Sequence, residues 1–201
     1  MTFTTGLVLA AGSSRRLGQP KQLLDYHGRP LLDATLDMAR SCGFDQLVVA
    51  IGGSGDAVRA GVDLAGCTVV DNVHHTSGCS SSIVAALEQV DPRADGLVLL
   101  LGDQPGVASS TVAALLAITG AADDRAASAA IAVCRYDDGR GHPFWFGRDV
   151  FDDLRGLHGD KAVWKLLESG RWPIAELPVD GPIPLDVDTW DDYRRLLEAA
   201  G

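Results

Sequence analysis

The sequence lacks the features of a membrane or secreted protein. It has no uncharged apolar run long enough to cross a bilayer, and Met1 to Thr5 carry neither the positive charges nor the cleavage site of a signal peptide. Cysteine is scarce, and the four cysteines form no C-x-x-C pair and no zinc spacing: Cys42, Cys67, Cys79 and Cys134. We therefore expect a globular, cytoplasmic protein without membrane contact, whose cysteines are reduced and mostly fill the core.

Positive charge is also under-represented. The 201 residues include 17 lysines and arginines against 27 aspartates and glutamates, which gives a formal net charge of -10. This balance disfavours a nucleic-acid partner, because phosphate backbones bind to basic faces. A small phosphorylated ligand held in a local basic pocket is still compatible with the composition.

Hydrophobic residues make up 46% of the chain and form short apolar runs that alternate with stretches of helical periodicity. This order predicts one α/β domain over residues 1–201, with three layers and helices on both faces of a mostly parallel sheet. After Arg135 the pattern changes. An aromatic strand at Pro143–Phe146, expected near an edge, and weak strands at Ile174–Val179 and Leu185–Val187 predict an antiparallel excursion in the C-terminal third.

The most informative stretch is the one that leads from Gly6 to Lys21. Its apolar run ends in Ala10-Ala11-Gly12-Ser13-Ser14, which predicts a buried strand with unpaired backbone N–H groups at its carboxyl end. Such N–H groups, with Arg15, Arg16 and Lys21 nearby, suit a polyphosphate. The alternative is a tight turn whose arginines face solvent. Neither the P-loop pattern nor the dinucleotide glycine pattern fits this loop.

A second candidate position is Asp103, which follows the most apolar run of the chain, Leu97–Leu101. Its carboxylate is expected at the same sheet edge as the Gly12 loop. One interpretation is an aspartate that caps the next turn. The interpretation that we favour is a ligand of Mg²⁺, because polyphosphate chemistry needs a cation to neutralise the charge that develops.

Both segments resemble one family, the molybdenum cofactor guanylyl- and cytidylyltransferases and their MobA-like relatives. The phosphate-binding loop of that family is matched by Leu9-Ala10-Ala11-Gly12, Ser14, Arg16-Leu17-Gly18 and Lys21, with Leu17 in place of methionine. Leu101–Pro105 resembles the metal-binding segment. The resemblance runs in order from Gly6 to Tyr193 and implies a Rossmann-like nucleotidyltransferase fold.

The remaining segments of the resemblance imply further site residues. Pro184–Tyr193 is similar to an acidic segment in which Asp186 or Asp188 completes the metal site, and alternation along a strand would put both on one face. Asn72–Ile83 resembles the segment that lines the nucleotide pocket, which implies Ser81 and Ser82. The adjacent His74 and His75 are not expected to bind a metal, because neighbours on a strand point opposite ways.

Two segments resemble acceptor-facing parts of the cytidylyltransferase branch. Gly141-His142-Pro143 matches a Gly-His-Pro segment, although a single histidine beside proline is equally compatible with a structural role. Leu157–Ala162 resembles a second segment and implies Asp160, with a departure at Lys161.

The resemblance implies Mg²⁺-dependent transfer of a nucleoside monophosphate from a nucleoside triphosphate to the terminal phosphate of a molybdopterin-type acceptor, with release of pyrophosphate. It assigns catalysis to Arg16, Lys21 and Asp103, and metal binding to Asp103, Asp186 and Asp188. Acceptor binding is assigned to His142 and Asp160. Nucleotide binding is assigned to Leu9, Ala10, Ala11, Gly12, Ser13, Ser14, Arg15, Lys21, Ser81 and Ser82.

The Ala-Ala-Gly form of the loop, together with Gly-His-Pro, favours CTP over GTP as the donor. A molybdenum hydroxylase is the partner that would receive the cofactor. Two other classes stay open: a cofactor-binding chaperone without turnover, and an NAD(P)-dependent oxidoreductase on a Rossmann-like fold. The oxidoreductase would need an acidic ribose-binding residue after the second strand, where the chain offers Gly52-Gly53-Ser54-Gly55-Asp56.

Overall fold

The computed structural model describes residues 2–119, 129–159 and 161–199. Strands and helices alternate from the first strand to the fifth, as the hydrophobic pattern predicts. The strands are β1 Thr4–Ala10, β2 Gln46–Ile51, β3 Thr68–Asp71, β4 Gly96–Leu101, β5 Ile131–Tyr136, β6 Gly139–Gly147 and β7 Ile174–Pro178. The helices are α1 Leu31–Ser41, α2 Gly55–Gly61, α3 Cys79–Leu87, α4 Ser109–Ile118, α5 Phe151–Arg155, α6 Ala162–Glu168 and α7 Trp190–Ala199.

The seven strands form one sheet in the order β3-β2-β1-β4-β6-β5-β7. Strands β1 to β4 are parallel, β6 runs antiparallel to both β4 and β5, and β7 is parallel to β5. The predicted α/β class, with a mostly parallel sheet and an antiparallel excursion late in the chain, is therefore confirmed.

Helices cover both faces of the sheet. Alternate residues of β1 show this: Leu7 packs with α3, α5 and α6 on one face, and Val8 packs with α1, α2 and α4 on the other. None of the described helices has the length and apolar character of a membrane span.

The prediction of an edge position for the aromatic strand is wrong. Strand β6 lies inside the sheet, between β4 and β5. Phe144, Trp145 and Phe146 are all buried, so side chains that point to opposite faces both meet a core. Two covered faces and two paired neighbours are what an interior strand provides, and successive buried aromatic residues fit that position.

The strand predicted at Leu185–Val187 is also wrong, because these residues form an irregular segment. Val187 is fully buried in a small separate core with Leu17, Leu24, Leu31 and Leu196. The burial of Val187 holds the segment before α7 against the loop that follows β1. Asp186 and Asp188 therefore lie on either side of a buried residue.

The strand order reverses at β1 and β4, which are neighbours although they lie far apart in the sequence. The loop after β1 and the turn after β4 therefore leave the sheet side by side, at the position where open α/β sheets bind ligands. The N–H of Gly102 donates to the carbonyl oxygen of Leu9 at 2.9 Å. A Cβ at Gly102 would lie 3.1 Å from that oxygen, so a side chain there would crowd the backbone of β1.

Candidate nucleotide and metal site

An open cleft of about 500 Å³ lies at the carboxyl ends of β1 and β4. It is lined by the loop after β1, the segment before and at the start of α3, the turn after β4, and one residue of the segment before α7. Its lining residues are Leu9, Ala10, Ala11, Gly12, Ser13, Ser14, Arg15, Arg16, Lys21, Gln22, His75, Thr76, Gly78, Cys79, Ser82, Leu101, Gly102, Asp103 and Asp188.

The loop after β1 turns sharply at Ser14, which has a left-handed φ of 48°. The Ser14 carbonyl oxygen accepts hydrogen bonds from the N–H groups of Leu17 and Gly18, at 3.0 and 3.2 Å, and its hydroxyl oxygen accepts one from the N–H of Lys21 at 2.9 Å. Within the described parts of the chain, no protein group accepts the backbone N–H groups of residues 12–16. The loop thus offers consecutive free donors, which suit an anion.

Lys21 connects the three segments of the site. Its ammonium group donates to Oδ2 of Asp103 and, at 2.9 Å, to Oδ1 of Asp188. The side chains of Lys21 and Asp103 are only 13% and 14% exposed, whereas that of Asp188 is 52% exposed. Arg16 is solvent-exposed and reaches Oδ2 of Asp188 at 3.5 Å. Two cationic side chains and two carboxylates therefore meet beside the free N–H groups.

Burial and the attraction between opposite charges shift the pKa values of Lys21 and Asp103 in opposite directions. Burial works against the charge on Lys21, but the attraction of Asp103 and Asp188 outweighs it and raises the lysine pKa, so the ammonium stays charged. Burial raises the pKa of Asp103; Lys21 opposes this rise, and the carboxylate of Asp186 adds to it. A buried carboxylate of this kind is stabilised by a cation in contact with it.

The residues present fit a magnesium ion. Mg²⁺ is commonly held by one or two carboxylates together with substrate phosphates, and Asp103 and Asp188 supply two carboxylates that already share one cationic partner, Lys21. No group of three or more His, Cys, Asp or Glu side chains that could hold a metal ion occurs within residues 2–119, 129–159 and 161–199. A pair of carboxylates leaves most of the coordination positions of Mg²⁺ to substrate phosphates and water.

The segment between β3 and α3 closes the far side of the cleft. The side-chain amide of Asn72 donates to the hydroxyls of Ser81 and Ser82, at 2.8 and 2.9 Å. Ser82 lines the cleft, whereas Ser81 does not line it and donates to the carbonyl oxygen of Gly78 at 2.7 Å. The two serines predicted to contact nucleotide thus have different positions: one faces the cleft and the other holds the segment.

Several lining residues were missed by sequence reasoning, and Gln22 and His75 are the most informative of them. Gln22 directly follows Lys21, yet nothing local indicates that it is buried, at 3% exposure, under the loop. His75 lines the cleft because it packs against Gly53, where a Cβ would lie 2.7 Å from its Cε1. The pair of histidines was considered only as a metal site, although the glycines after β2 were a signal for a close neighbour.

The residues predicted to bind the acceptor lie outside the cleft or outside the described residues. His142 lies on β6, with its ring centroid 4.1 Å from that of Phe144, and it does not line the cleft. Burial lowers the pKa of His142 to about 3, so the imidazole is neutral at physiological pH. Asp186 does not line the cleft either, although its charge acts on Asp103. Asp160 falls outside the described residues.

Comparisons with known proteins found relatives that match almost the whole chain. The chain is 32% identical over 202 residues to nicotine blue oxidoreductase of Paenarthrobacter nicotinovorans, covering 96% of each protein. It is 28% identical to the purine catabolism protein PucB of Bacillus subtilis, covering 98% of this chain and 97% of PucB.

Solved structures of Rv0371c from Mycobacterium tuberculosis H37Rv have a similar fold. One is 57% identical with a TM-score of 0.89 and covers 98% of each chain. Another, a complex with manganese, is 54% identical with a TM-score of 0.84 and covers 98% of this chain and 100% of the other. The MobA-like NTP transferase domain matches residues 6–175. The chain belongs to the family of MobA-like NTP transferase domains.

Proposed function

We propose that this protein transfers a nucleoside monophosphate from a nucleoside triphosphate to the terminal phosphate of a molybdopterin-type acceptor and releases pyrophosphate. The observation that carries the proposal is the meeting of Lys21, Asp103 and Asp188 beside a loop with free backbone N–H groups. Anion donors, a charged ammonium and a pair of carboxylates are the groups that phosphoryl-type transfer requires.

Each part of the site has a role in this proposal. The N–H groups of residues 12–16, together with Arg15, Arg16 and Lys21, bind the triphosphate; the cleft wall from Leu9 to Ala11 and at Ser82 contacts the nucleoside, and Ser81 supports that wall. Asp103 and Asp188 hold the divalent cation. When bound, the cation neutralises charge on the phosphate oxygens. The complex of the similar Rv0371c with manganese supports a divalent cation in this family.

The second carboxylate is assigned to Asp188 rather than to Asp186. Asp188 lines the cleft and shares Lys21 with Asp103, whereas Asp186 lies outside the lining. Asp186 then acts through its charge, which raises the pKa of Asp103. This assignment leaves one carboxylate on each side of the ammonium group.

No general base is needed for the proposed step. A terminal phosphate on the acceptor is already ionised and nucleophilic at neutral pH, so catalysis consists of alignment and charge neutralisation. His142 and Asp160 remain the proposed acceptor-binding residues. Because His142 lies on β6 outside the cleft, this role would need the acceptor to extend beyond the cleft, and the neutral imidazole would offer it a hydrogen bond rather than a positive charge. The product, the nucleotide form of the cofactor, would pass to a molybdenum hydroxylase, which is the partner implied by this reaction.

CTP is the proposed donor, with GTP as the other candidate. Ala11 occupies the position at which the guanylyltransferase form of the loop has glycine, and it is 7% exposed. A Cβ at Gly52 would lie 3.0 Å from the Ala11 side chain, so the alanine methyl group takes up space at the wall between β1 and β2. The methyl group leaves less room for the base of the nucleotide than a glycine would, and this favours the smaller pyrimidine.

A second candidate is an oxidoreductase that uses a nicotinamide cofactor, because one relative of similar length is named nicotine blue oxidoreductase. The feature that favours the transferase is the site itself. After β2 the chain has the glycine-rich turn before α2, and Asp56 lies inside that helix. A ribose-binding acid would be expected at the end of the strand instead. A chaperone without turnover would need neither Lys21 nor Asp103.

Thermal unfolding tests the proposal directly. The protein is heated with CTP, GTP, ATP, NAD⁺ or NADPH, each with and without Mg²⁺. A ligand at about 100 times its dissociation constant adds about 2.7 kcal/mol of stability, which shifts the midpoint by several degrees. We expect a Mg²⁺-dependent shift with one triphosphate, strongest with CTP. A shift of the unfolding midpoint with the nicotinamide cofactors alone would contradict the proposed transferase and favour the oxidoreductase.

Turnover is then measured as pyrophosphate released upon addition of a molybdopterin-type acceptor. We expect release only when triphosphate, acceptor and Mg²⁺ are all present, and none from Asp103→Asn, whose folding is checked by circular dichroism. Binding of triphosphate without any release in the presence of the acceptor would favour the chaperone.

A further inference from the structure

Gln22 lies beneath the loop after β1 and bonds to its backbone at two points. The side-chain amide nitrogen donates to the carbonyl oxygen of Ala10 at 2.6 Å and to that of Gly12 at 3.2 Å. The residue is buried, at 3% exposure. One side chain therefore binds two carbonyl groups on either side of Ala11, where the strand changes into the loop.

The orientation of this amide is fixed by its partners. Only the NH₂ group can donate to two carbonyl oxygens, so the side-chain oxygen of Gln22 must point away from them. That oxygen is buried and has no hydrogen-bond partner among the described residues. A buried acceptor without a partner is unfavourable, and such local violations concentrate at functional sites.

The arrangement determines which backbone groups the loop leaves free. Gln22 binds the carbonyl oxygens of Ala10 and Gly12, and the carbonyl oxygen of Ser14 accepts from Leu17 and Gly18. Three alternate carbonyl groups are thus occupied within the protein, whereas the N–H groups of residues 12–16 have no acceptor in the described chain. Free carbonyl oxygens would repel an anion, and free N–H groups attract it.

We propose that Gln22 is a positioning residue for the triphosphate. It binds the carbonyl oxygens of Ala10 and Gly12 and so keeps the N–H groups of the loop available to phosphate oxygens. The inference rests on the proposed function for the ligand, but the effect on the loop belongs to the protein alone. Gln22 itself needs no contact with the ligand.

The test compares Gln22→Met, which keeps the length of the side chain and removes both donors, with Gln46→Met. Gln46 also bridges to a backbone carbonyl, that of Gln89 at 2.8 Å, but it lies at the start of β2, at the opposite end of the strands. Binding of inorganic tripolyphosphate, a probe without a base, is measured by calorimetry in Mg²⁺ buffer. Hydrogen exchange of residues 9–18 is measured without any ligand.

We expect Gln22→Met to weaken tripolyphosphate binding by about tenfold or more, because the hydrogen bonds to a charged ligand depend on loop geometry. Exchange of residues 9–18 should become faster at the same time. Gln46→Met should leave both readouts unchanged. Equal weakening in the two variants, or wild-type affinity in Gln22→Met, would overturn the proposal.

If Gln22→Met does not fold, Gln22→Asn gives the same comparison. It retains an amide but retracts it by about 1.5 Å, so it cannot reach both carbonyl groups. If the wild-type protein binds no tripolyphosphate, the proposed function fails. The role of Gln22 is then tested by the rate of hydrogen exchange alone. Faster exchange confined to residues 9–18 supports positioning, and unchanged exchange there refutes it.

Discussion

The ammonium group of Lys21 lies between the carboxylates of Asp103 and Asp188, in contact with Oδ2 of the first and 2.9 Å from Oδ1 of the second. The lysine therefore binds the same two carboxylates that the proposed cation would use. Under the proposed function, lysine and cation would compete for one pair of ligands.

This competition predicts opposite effects of Lys21→Met on metal and on triphosphate. Removal of a unit positive charge about 4 Å from a divalent cation relieves about 2 kcal/mol of repulsion even at the dielectric constant of water, so Mn²⁺ should bind the nucleotide-free protein about thirtyfold more tightly. Triphosphate should bind about tenfold to a hundredfold more weakly, because a charge-assisted hydrogen bond is lost. Electron paramagnetic resonance measures the metal affinity, and calorimetry measures that of the triphosphate.

Lys165→Met is the matched control, because it removes the same charge from an exposed position of α6. Its affinities for both ligands should equal those of the wild-type protein. Weaker binding of Mn²⁺ to Lys21→Met would show that the lysine organises the carboxylates instead of competing with the metal.

The two late aspartates are distinguished by metal affinity. Asp188 contacts Lys21 and lines the cleft, whereas Asp186 influences Asp103 only through its charge. We expect Asp188→Asn to weaken Mn²⁺ binding by at least about tenfold and Asp186→Asn by less than about threefold. Both substitutions remove the same charge from exposed positions that flank Val187. The reverse order would assign the second metal ligand to Asp186.

Gly52 is required by close packing at the wall of the cleft. A Cβ there would lie 2.6 Å from the carbonyl oxygen of Ala11 and 2.9 Å from Cβ of His75. Neither atom can rotate away, so Gly52→Ala must displace the loop or His75. We expect a loss of stability of about 1–3 kcal/mol, measured by urea denaturation, together with weaker triphosphate binding.

Gly55→Ala is the control for that substitution. Gly55 begins α2, and the nearest atom to a Cβ there is Cδ1 of Ile51 at 3.4 Å, an ordinary contact. Stability should be unchanged or should rise by up to about 1 kcal/mol, because alanine is the better helix residue. Equal losses in the two variants would mean that the cleft wall is not the cause.

His142 predicts a specific dependence of stability on pH. Its pKa is lowered by burial from 6.5 to about 3, so the unfolded chain binds a proton at pH 5 that the folded protein does not. The stability due to this residue is complete above about pH 6.5 and is lost as the pH falls. Between pH 7 and pH 5, the wild-type protein should lose up to about 2 kcal/mol more than His142→Gln.

Urea denaturation of both proteins at several pH values measures this difference. Parallel pH profiles would indicate that the imidazole has the same pKa in the folded protein as in the unfolded chain, so that His142 could carry a positive charge in the folded state.

Patterns that are local in sequence predicted the elements well. The apolar runs of β1 and β4 end in small or acidic residues, and the structure has strands and turns there. Threonine is a common N-terminal cap of helices, and the hydroxyl of Thr189, which precedes α7, accepts the N–H of Asp192 at 3.2 Å. The prediction of an edge position for the aromatic strand failed, because that position depends on which strands pair with each other. The position of β6 inside the sheet depends on which strands adjoin it, and its own residues do not carry that information.

Local sequence patterns were enough to predict the strand and loop around β1, the acidic turn after β4 and the family resemblance, because these depend on neighbouring residues. How the site is assembled could be seen only in the folded chain. Lys21 meets Asp103 across 82 residues and Asp188 across 167 residues. The first meeting follows from the pairing of β1 with β4, and the second from the burial of Val187 beside Leu17 and Leu31. Such contacts depend on sheet order and core packing, which are properties of the whole fold.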